Sequence, residues 1–139
     1  MAKRGVTSKP YRVFVSHATA DKWLARTICE KIDATGATTF RDDRDIDGGD
    51  DIPGAIRRAI DDCDELLVLL TPVSVSRPWV LIEVGAAWHR GDDVRIIGIK
   101  RHIGIEPIPA MLQSKRIFDL NEFDQYLDQL RHRLARKRK

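Results

Sequence analysis

The feature that most constrains this chain is the run ELLVLL at residues 65–70, five of whose six members are leucine or valine. The run does not alternate between apolar and polar residues, which indicates a strand that is covered on both faces. Strands of this kind lie at the centre of parallel sheets, because crossover helices cover both sides of such sheets. At 139 residues, the chain has the length of one ordinary domain built around such a sheet.

Predicted strands and helices alternate along the rest of the chain. Short strands rich in apolar, β-branched and aromatic residues are predicted at residues 11–16, 37–40, 65–70, 94–99 and 116–120. Amphipathic helices are predicted at residues 21–32, 52–63, 76–89 and 123–134. Ser76 is the expected cap of the third helix, and the pattern leaves the helix content of residues 105–111 open. The alternation predicts an α/β fold, a five-stranded parallel sheet with helices on both faces.

The two ends of the chain lie outside this pattern. We expect a flexible N-terminal segment at residues 1–10, one domain at 11–134 and a basic tail at 135–139. The last nine residues include six lysines or arginines. They would either bind an anionic partner or, as is usual for charged termini, form a solvated helix end, so direct contact with nucleic acid is not expected.

Hydropathy bears on where the protein resides. The longest apolar runs are about five residues, far below the roughly 20 that cross a bilayer. No apolar stretch follows the N-terminal charges, so a secretory signal is not expected either. We therefore expect a cytoplasmic protein with no membrane span.

Several familiar ligand motifs are missing from the sequence. No glycine-rich dinucleotide fingerprint, P-loop or nucleophile elbow is present. The loop from Asp43 to Gly48 begins like a calcium-binding loop, but Gly54 stands where the bidentate carboxylate belongs. Cys29 and Cys63 both lie on apolar helix stripes, where a cysteine packs as a small hydrophobic residue. We expect no metal site, and any nucleotide must be held in another way.

Ligands of parallel α/β sheets bind beyond the carboxyl ends of the strands. In this chain those ends carry Ser16, His17, the acidic loop 41–51 and the segment 71–83. Trp79 and Glu83 are four residues apart, so they share one helix face and could form one wall of a cleft. The alternative is a core tryptophan beside an exposed glutamate, and the spacing alone favours that alternative.

Four ordered segments resemble the Toll/interleukin-1 receptor (TIR) domain family in its bacterial form, from Arg12 to about Leu134. The segment RVFVSH at 12–17, followed by Asp21, is similar to the first conserved box of the family. Residues 42–52, with their Gly-Gly pair, resemble the BB loop, and residues 63–74 resemble the central strand and its exit. The pattern S-x-x-W-x-x-x-E at 76–83 resembles the segment around the catalytic glutamate of the family.

The resemblance implies a flavodoxin-like fold and, as in catalytic members, cleavage of NAD⁺ to nicotinamide and ADP-ribose or cyclic ADP-ribose. It implies that Glu83 is catalytic and that NAD is a substrate, not a cofactor. The substrate pocket would be bordered by Phe14, Ser16, His17, Ala18, Arg44, Asp45, Asp47, Gly48, Ser74 and Trp79. Whether Glu83 stabilises the developing charge on the ribose or attacks it covalently stays open.

The resemblance also implies partners and a biological setting. Self-association would use TIR–TIR contacts that include the 42–52 loop, and a separate sensor or effector protein would be a further partner. The expected setting is bacterial defence against phage or manipulation of a host. Two alternatives remain, a noncatalytic TIR interaction module and a nucleoside-processing enzyme of a related fold, such as a deoxyribosyltransferase.

Overall fold

A five-stranded sheet forms the centre of the computed structural model, which describes residues 10–41, 52–113 and 115–138. Its strands are β1 (Arg12–Ser16), β2 (Thr38–Phe40), β3 (Glu65–Leu70), β4 (Arg95–Lys100) and β5 (Arg116–Asp119). Their order is β2-β1-β3-β4-β5, and all neighbouring strands are parallel. The predicted flavodoxin-like α/β fold is confirmed. The run that defined β3 is the middle strand, and each of its residues is buried.

The described helices are α1 (Lys22–Asp33), α2 (Ile52–Asp62), α3 (Pro78–His89), α4 (Ala110–Gln113) and α5 (Phe123–Arg138). The predicted cap at Ser76 is wrong, because Ser76 ends a 3₁₀ turn and α3 begins at Pro78. Proline disfavours helical geometry in the residue before it, so Arg77 is extended and Pro78 is the first helical residue. The segment left open in the sequence leads into the short helix α4. None of the described helices is both long and apolar enough to cross a bilayer.

Two hydrophobic layers pack against opposite faces of the sheet, as the unbroken run in β3 predicted. Leu67 and Leu69 point into the layer formed with α1 and α5. The alternate residues Leu66, Val68 and Leu70 point into the layer formed with α2, α3 and α4. The two cysteines are both buried, one in each layer, in agreement with their apolar positions in the sequence.

The sheet has a topological switch point beside β1. This strand pairs with β2 on one side and with β3 on the other, so the chain leaves β1 in one direction and β3 in the opposite direction. Ligand sites in open α/β sheets form in the crevice that such a reversal opens. The switch point brings the loop after β1 close to the segment that joins β3 to α3.

Candidate functional site

A buried glutamate lies at this switch point. Glu83 projects from α3 and is 1% exposed, although glutamate is rarely buried without a partner. The Ser16 hydroxyl, at the end of β1, donates a hydrogen bond of 2.6 Å to Glu83 Oε1. Hydrogen bonds to a charged acceptor are short and strong, which offsets part of the cost of burying a carboxylate. The pair fixes α3 to the end of β1.

Trp79 lies one turn before Glu83 at the rim of the same site. Its side chain is 40% exposed, so the arrangement favoured by spacing alone, a core tryptophan beside an exposed glutamate, is wrong. The reason is the way α3 docks, because Val80, Val84 and Ala87 face the sheet. This orientation turns Glu83 inward and leaves Trp79 at the surface.

Two cavities share Trp79 as a wall. The first, here called the Glu83 cavity, lies between α2 and α3 and has a volume of about 440 Å³. Its wall is mainly apolar and includes Ile56, Ile60, Trp79, Ile82, Glu83 and Ala86. The second, here called the His17 cavity, has a volume of about 290 Å³ and includes His17, Ala18, Thr19, Lys22, Arg77 and Trp79. A ligand with two chemically different parts can therefore span Trp79.

His17 is oriented by the backbone of the loop after β1. The residue is 8% exposed, and its Nδ1 lies 2.8 Å from the carbonyl oxygen of Ala18. Because a carbonyl oxygen only accepts, Nδ1 carries the proton in this contact. Thr71 Oγ1 donates a hydrogen bond of 2.7 Å to Asp21 Oδ2, which fixes the loop after β3 to the start of α1. These contacts orient His17 and tie the residue before Lys22 to the loop after β3.

Two further predicted pocket residues, Ser74 and Phe14, contact other parts of the chain. Ser74 Oγ donates to the carbonyl of Leu69 at 2.6 Å and accepts from the backbone N–H of Thr71 at 2.9 Å, so it shapes the turn after β3. Phe14 is buried and its ring stacks on Phe40, with centroids 5.1 Å apart. Neither residue lines the two cavities beside Trp79.

The structure therefore brings Ser16, His17, Ala18, Trp79 and Glu83 together, with Ser16 bonded to Glu83 and not lining either cavity. The other four predicted pocket residues, all in the 42–52 loop, lie outside the described residues: Arg44, Asp45, Asp47 and Gly48. Within residues 10–41, 52–113 and 115–138, no three His, Cys, Asp or Glu side chains form a group that could bind a metal ion.

Two cations of the site were missed in the sequence. Lys22 and Arg77 both line the His17 cavity, although they are 55 residues apart. Arg77 lies inside the S-x-x-W pattern, directly before the proline that begins α3, and this position was the available signal. Lys22 had none, because a lysine at the start of an amphipathic helix is ordinary.

Comparison with known proteins places the chain in a family. A family model described as TIR domain matches residues 13–134. None of the curated proteins matches the sequence. The TIR domain of the Toll-related receptor TRR-2 from Hydra magnipapillata has a TM-score of 0.70 and 21% identity, covering 91% of this chain and 98% of the receptor domain.

Two further solved structures share the fold. The TIR domains of the activated Roq1 resistosome, which recognises the pathogen effector XopQ, have a TM-score of 0.62 and 18% identity, covering 92% of this chain and 79% of theirs. A 2-desoxiribosyltransferase from Leishmania mexicana has a TM-score of 0.64 and 14% identity, covering 86% of this chain and 98% of the enzyme. At these identities the likeness concerns the fold alone.

Proposed function

Because the chain belongs to the TIR domain family, we propose that it is an NAD⁺ nucleosidase in which Glu83 is the catalytic residue. One observation carries this proposal. The carboxylate of Glu83 is buried, is held by Ser16 at the switch point of the sheet, and lines a cavity beside an exposed tryptophan. A fold that keeps a costly buried carboxylate at the usual ligand position gives that group a task beyond stability.

The reaction suits a site with one carboxylate. The bond between the nicotinamide nitrogen and ribose C1′ breaks, and its electron pair stays on the nicotinamide. That ring is cationic in NAD⁺ and leaves neutral, so the general acid of an ordinary glycosidase is not needed. Glu83 stabilises the positive charge at C1′ or bonds to it. Water then adds its oxygen to C1′, displacing Glu83 where it had bonded, and releases a proton. Alternatively, a ring nitrogen of the adenine of the same molecule bonds to C1′, with the same displacement of Glu83, and closes a cyclic product.

The walls of the Glu83 cavity support this assignment. Ile56 and Ile60 are buried and give the cavity an apolar wall beside the carboxylate, and the indole of Trp79 offers a flat surface for an aromatic ring. A carboxylate with few waters around it interacts more strongly with a developing cation than one in bulk solvent.

A noncatalytic interaction module is a second candidate, and one surface favours it. The outward side of α3 carries the exposed apolar side chains of Leu81, Ile82 and Trp88, whereas the outward side of α2 carries Arg57, Arg58 and Asp61. Exposed apolar surface of this kind marks protein contacts. Contact between two copies through α3 would be compatible with both candidate functions, since self-association is also expected of a catalytic TIR domain.

The test is release of nicotinamide from NAD⁺, followed by chromatography over a series of protein concentrations that includes crowded solutions. We expect release by the wild-type protein and a loss of about 10³-fold or more in Glu83→Gln. Glutamine has nearly the same shape as glutamate and can still accept from Ser16, so the fold should persist. The matched control is Glu30→Gln, an exposed residue of α1, which should keep full activity.

Other outcomes point elsewhere. Release that survives Glu83→Gln would remove Glu83 from its assigned role. No release at any concentration would favour the interaction module. Exchange of bases between deoxynucleosides, without cleavage of NAD⁺, would favour the nucleoside-processing alternative.

A further inference from the structure

The His17 cavity differs in charge from the Glu83 cavity on the other side of Trp79. Its lining includes Lys22 and Arg77, whereas none of its described lining residues is acidic. Asp21 is next to Lys22 in the chain, but its carboxylate accepts from Thr71 and is not part of the lining. The cavity therefore presents two cations to whatever occupies it.

The main chain at Arg77 is fixed where the residue borders the His17 cavity. The residue is extended, with φ −77° and ψ 121°, because Pro78 follows it. Its N–H donates to the carbonyl of Ser74 at 3.1 Å, which fixes the turn before α3. Lys22, the first residue of α1, lines the same cavity.

The Glu83 cavity is unsuited to a phosphate. Its lining includes the carboxylates of Glu83 and Asp61 against the single cation Arg57, and the rest is mainly apolar. An anionic group placed there would meet net repulsion and a low dielectric constant. An uncharged or cationic ring suits that cavity, and an anion suits the His17 cavity.

We propose that the His17 cavity is the pyrophosphate subsite of the substrate, with Lys22 and Arg77 as its cationic ligands, and that this subsite selects dinucleotides over nucleosides. The inference rests on the proposed function, because it assigns the base and ribose to the Glu83 cavity. A dinucleotide spans Trp79 and occupies both cavities, whereas a nucleoside occupies one. Guanidinium and ammonium groups are the usual protein ligands of phosphate oxygens.

The test measures binding to Glu83→Gln protein, which separates affinity from turnover. The probes are NAD⁺, ADP-ribose and nicotinamide riboside, titrated by calorimetry or NMR. Adding Arg77→Gln or Lys22→Gln should raise Kd for NAD⁺ and ADP-ribose about tenfold each, as for one lost charge-assisted contact. Kd for nicotinamide riboside, which has no phosphate, should stay within about twofold. Arg26→Gln makes the same charge change one turn further along α1 and should alter nothing.

Equal weakening of all three probes, or no weakening of any, would overturn the subsite. The outcome for the proposed function is read separately, from nicotinamide release with Glu83 intact. A protein that cleaves NAD⁺ while the two cation variants keep the wild-type ratio of kcat/KM for NAD⁺ and nicotinamide riboside has the function without the subsite. A protein that shows the cation-dependent binding but releases no nicotinamide has the subsite without the function.

Discussion

At the scale of residues, the hydroxyl of Ser16 holds the buried carboxylate of Glu83 by a hydrogen bond. Ser16 Oγ lies 2.6 Å from Glu83 Oε1, and both side chains are withdrawn from solvent. A donor fixed to one oxygen limits rotation of the carboxylate and orients the other oxygen. Catalytic side chains need this kind of positioning, since small displacements of a reacting group cost large factors in rate.

We predict that Ser16→Ala lowers kcat for NAD⁺ about tenfold and leaves KM within about twofold, because the hydroxyl acts through Glu83 and does not touch the substrate. Ser16→Thr keeps the hydroxyl on a residue that suits a strand and should restore most of kcat. Steady-state kinetics of both variants check this. A kcat of Ser16→Ala equal to that of wild type would contradict the positioning role.

At the scale of elements, the packing of β4 depends on glycine at position 98, where there is no room for a side chain. An added Cβ at Gly98 would lie 2.8 Å from Leu70 Cδ1 and 3.2 Å from Ile117 Cγ1. Leu70 is 1% exposed, so its side chain has little room to move aside. Leu70 of β3 and Ile117 of β5 fill the space beside Gly98 of β4, so the missing side chain lets these three strands share one packed layer.

Gly98→Ala should therefore lower the free energy of unfolding by about 1–3 kcal/mol, as overpacked cores do. The matched control is Gly85→Ala in α3, where an added Cβ would meet nothing within 4 Å. Alanine in a helix interior stabilises by about 0.5–1 kcal/mol relative to glycine. Urea unfolding of the two variants measures both effects, and equal midpoints would show that the space around Gly98 is not limiting.

At the scale of the whole molecule, a buried polar cluster ties the two ends of the chain to the middle strand. Glu65, the fully buried first residue of β3, accepts hydrogen bonds from the hydroxyls of Tyr11, at 2.9 Å, and Tyr126. Arg133 of α5 makes an ion pair of 2.8 Å with the same carboxylate. The cluster lies at the amino ends of the strands, opposite the candidate site. Losing one partner of such a group leaves the others buried without compensation, so the cluster favours one placement of α5.

This cluster makes stability depend on pH in the alkaline range. Burial, and next the charge of Glu65, raise the pKa of Tyr126 well above its ordinary value of 10.0. The unfolded chain therefore loses this proton at lower pH than the folded chain. Through Tyr126, the free energy of unfolding should not change with pH between 7 and 9 and should fall as pH rises above about 10.

Tyr126→Phe tests this dependence, because phenylalanine keeps the ring and removes the titrating hydroxyl. Urea unfolding at pH 8 and at several values above 10 should give a shallower alkaline loss for the variant than for wild type. Burial also raises the pKa of Cys63 to about 11, but this thiol is present in both proteins and cancels in the comparison. If the free energy of unfolding fell equally steeply with pH in both proteins, Tyr126 would not contribute to the alkaline loss of stability.

The main strands and helices were predictable because the spacing of apolar residues along the chain shows which faces of an element are buried and which are exposed. The run in β3 required cover on both faces, and that requirement led to the parallel sheet and its two hydrophobic layers. The predicted cap, Ser76, lies one residue before the observed cap, Arg77, since capping preferences are weak beside the restriction that proline imposes. The order of the motifs further pointed to the TIR family.

The partners of the polar residues could not be read in the same way. Ser16 and Glu83 are 67 residues apart, and Glu65 and Tyr126 are 61 apart. The sequence around each residue does not indicate its partner, because the connections between the strands decide which strand ends and helix starts become neighbours. Periodicity thus sufficed for the layers and the sheet. The docking of α3 on the sheet turned Glu83 inward, and the switch point beside β1 brought Lys22 and Arg77 to one cavity.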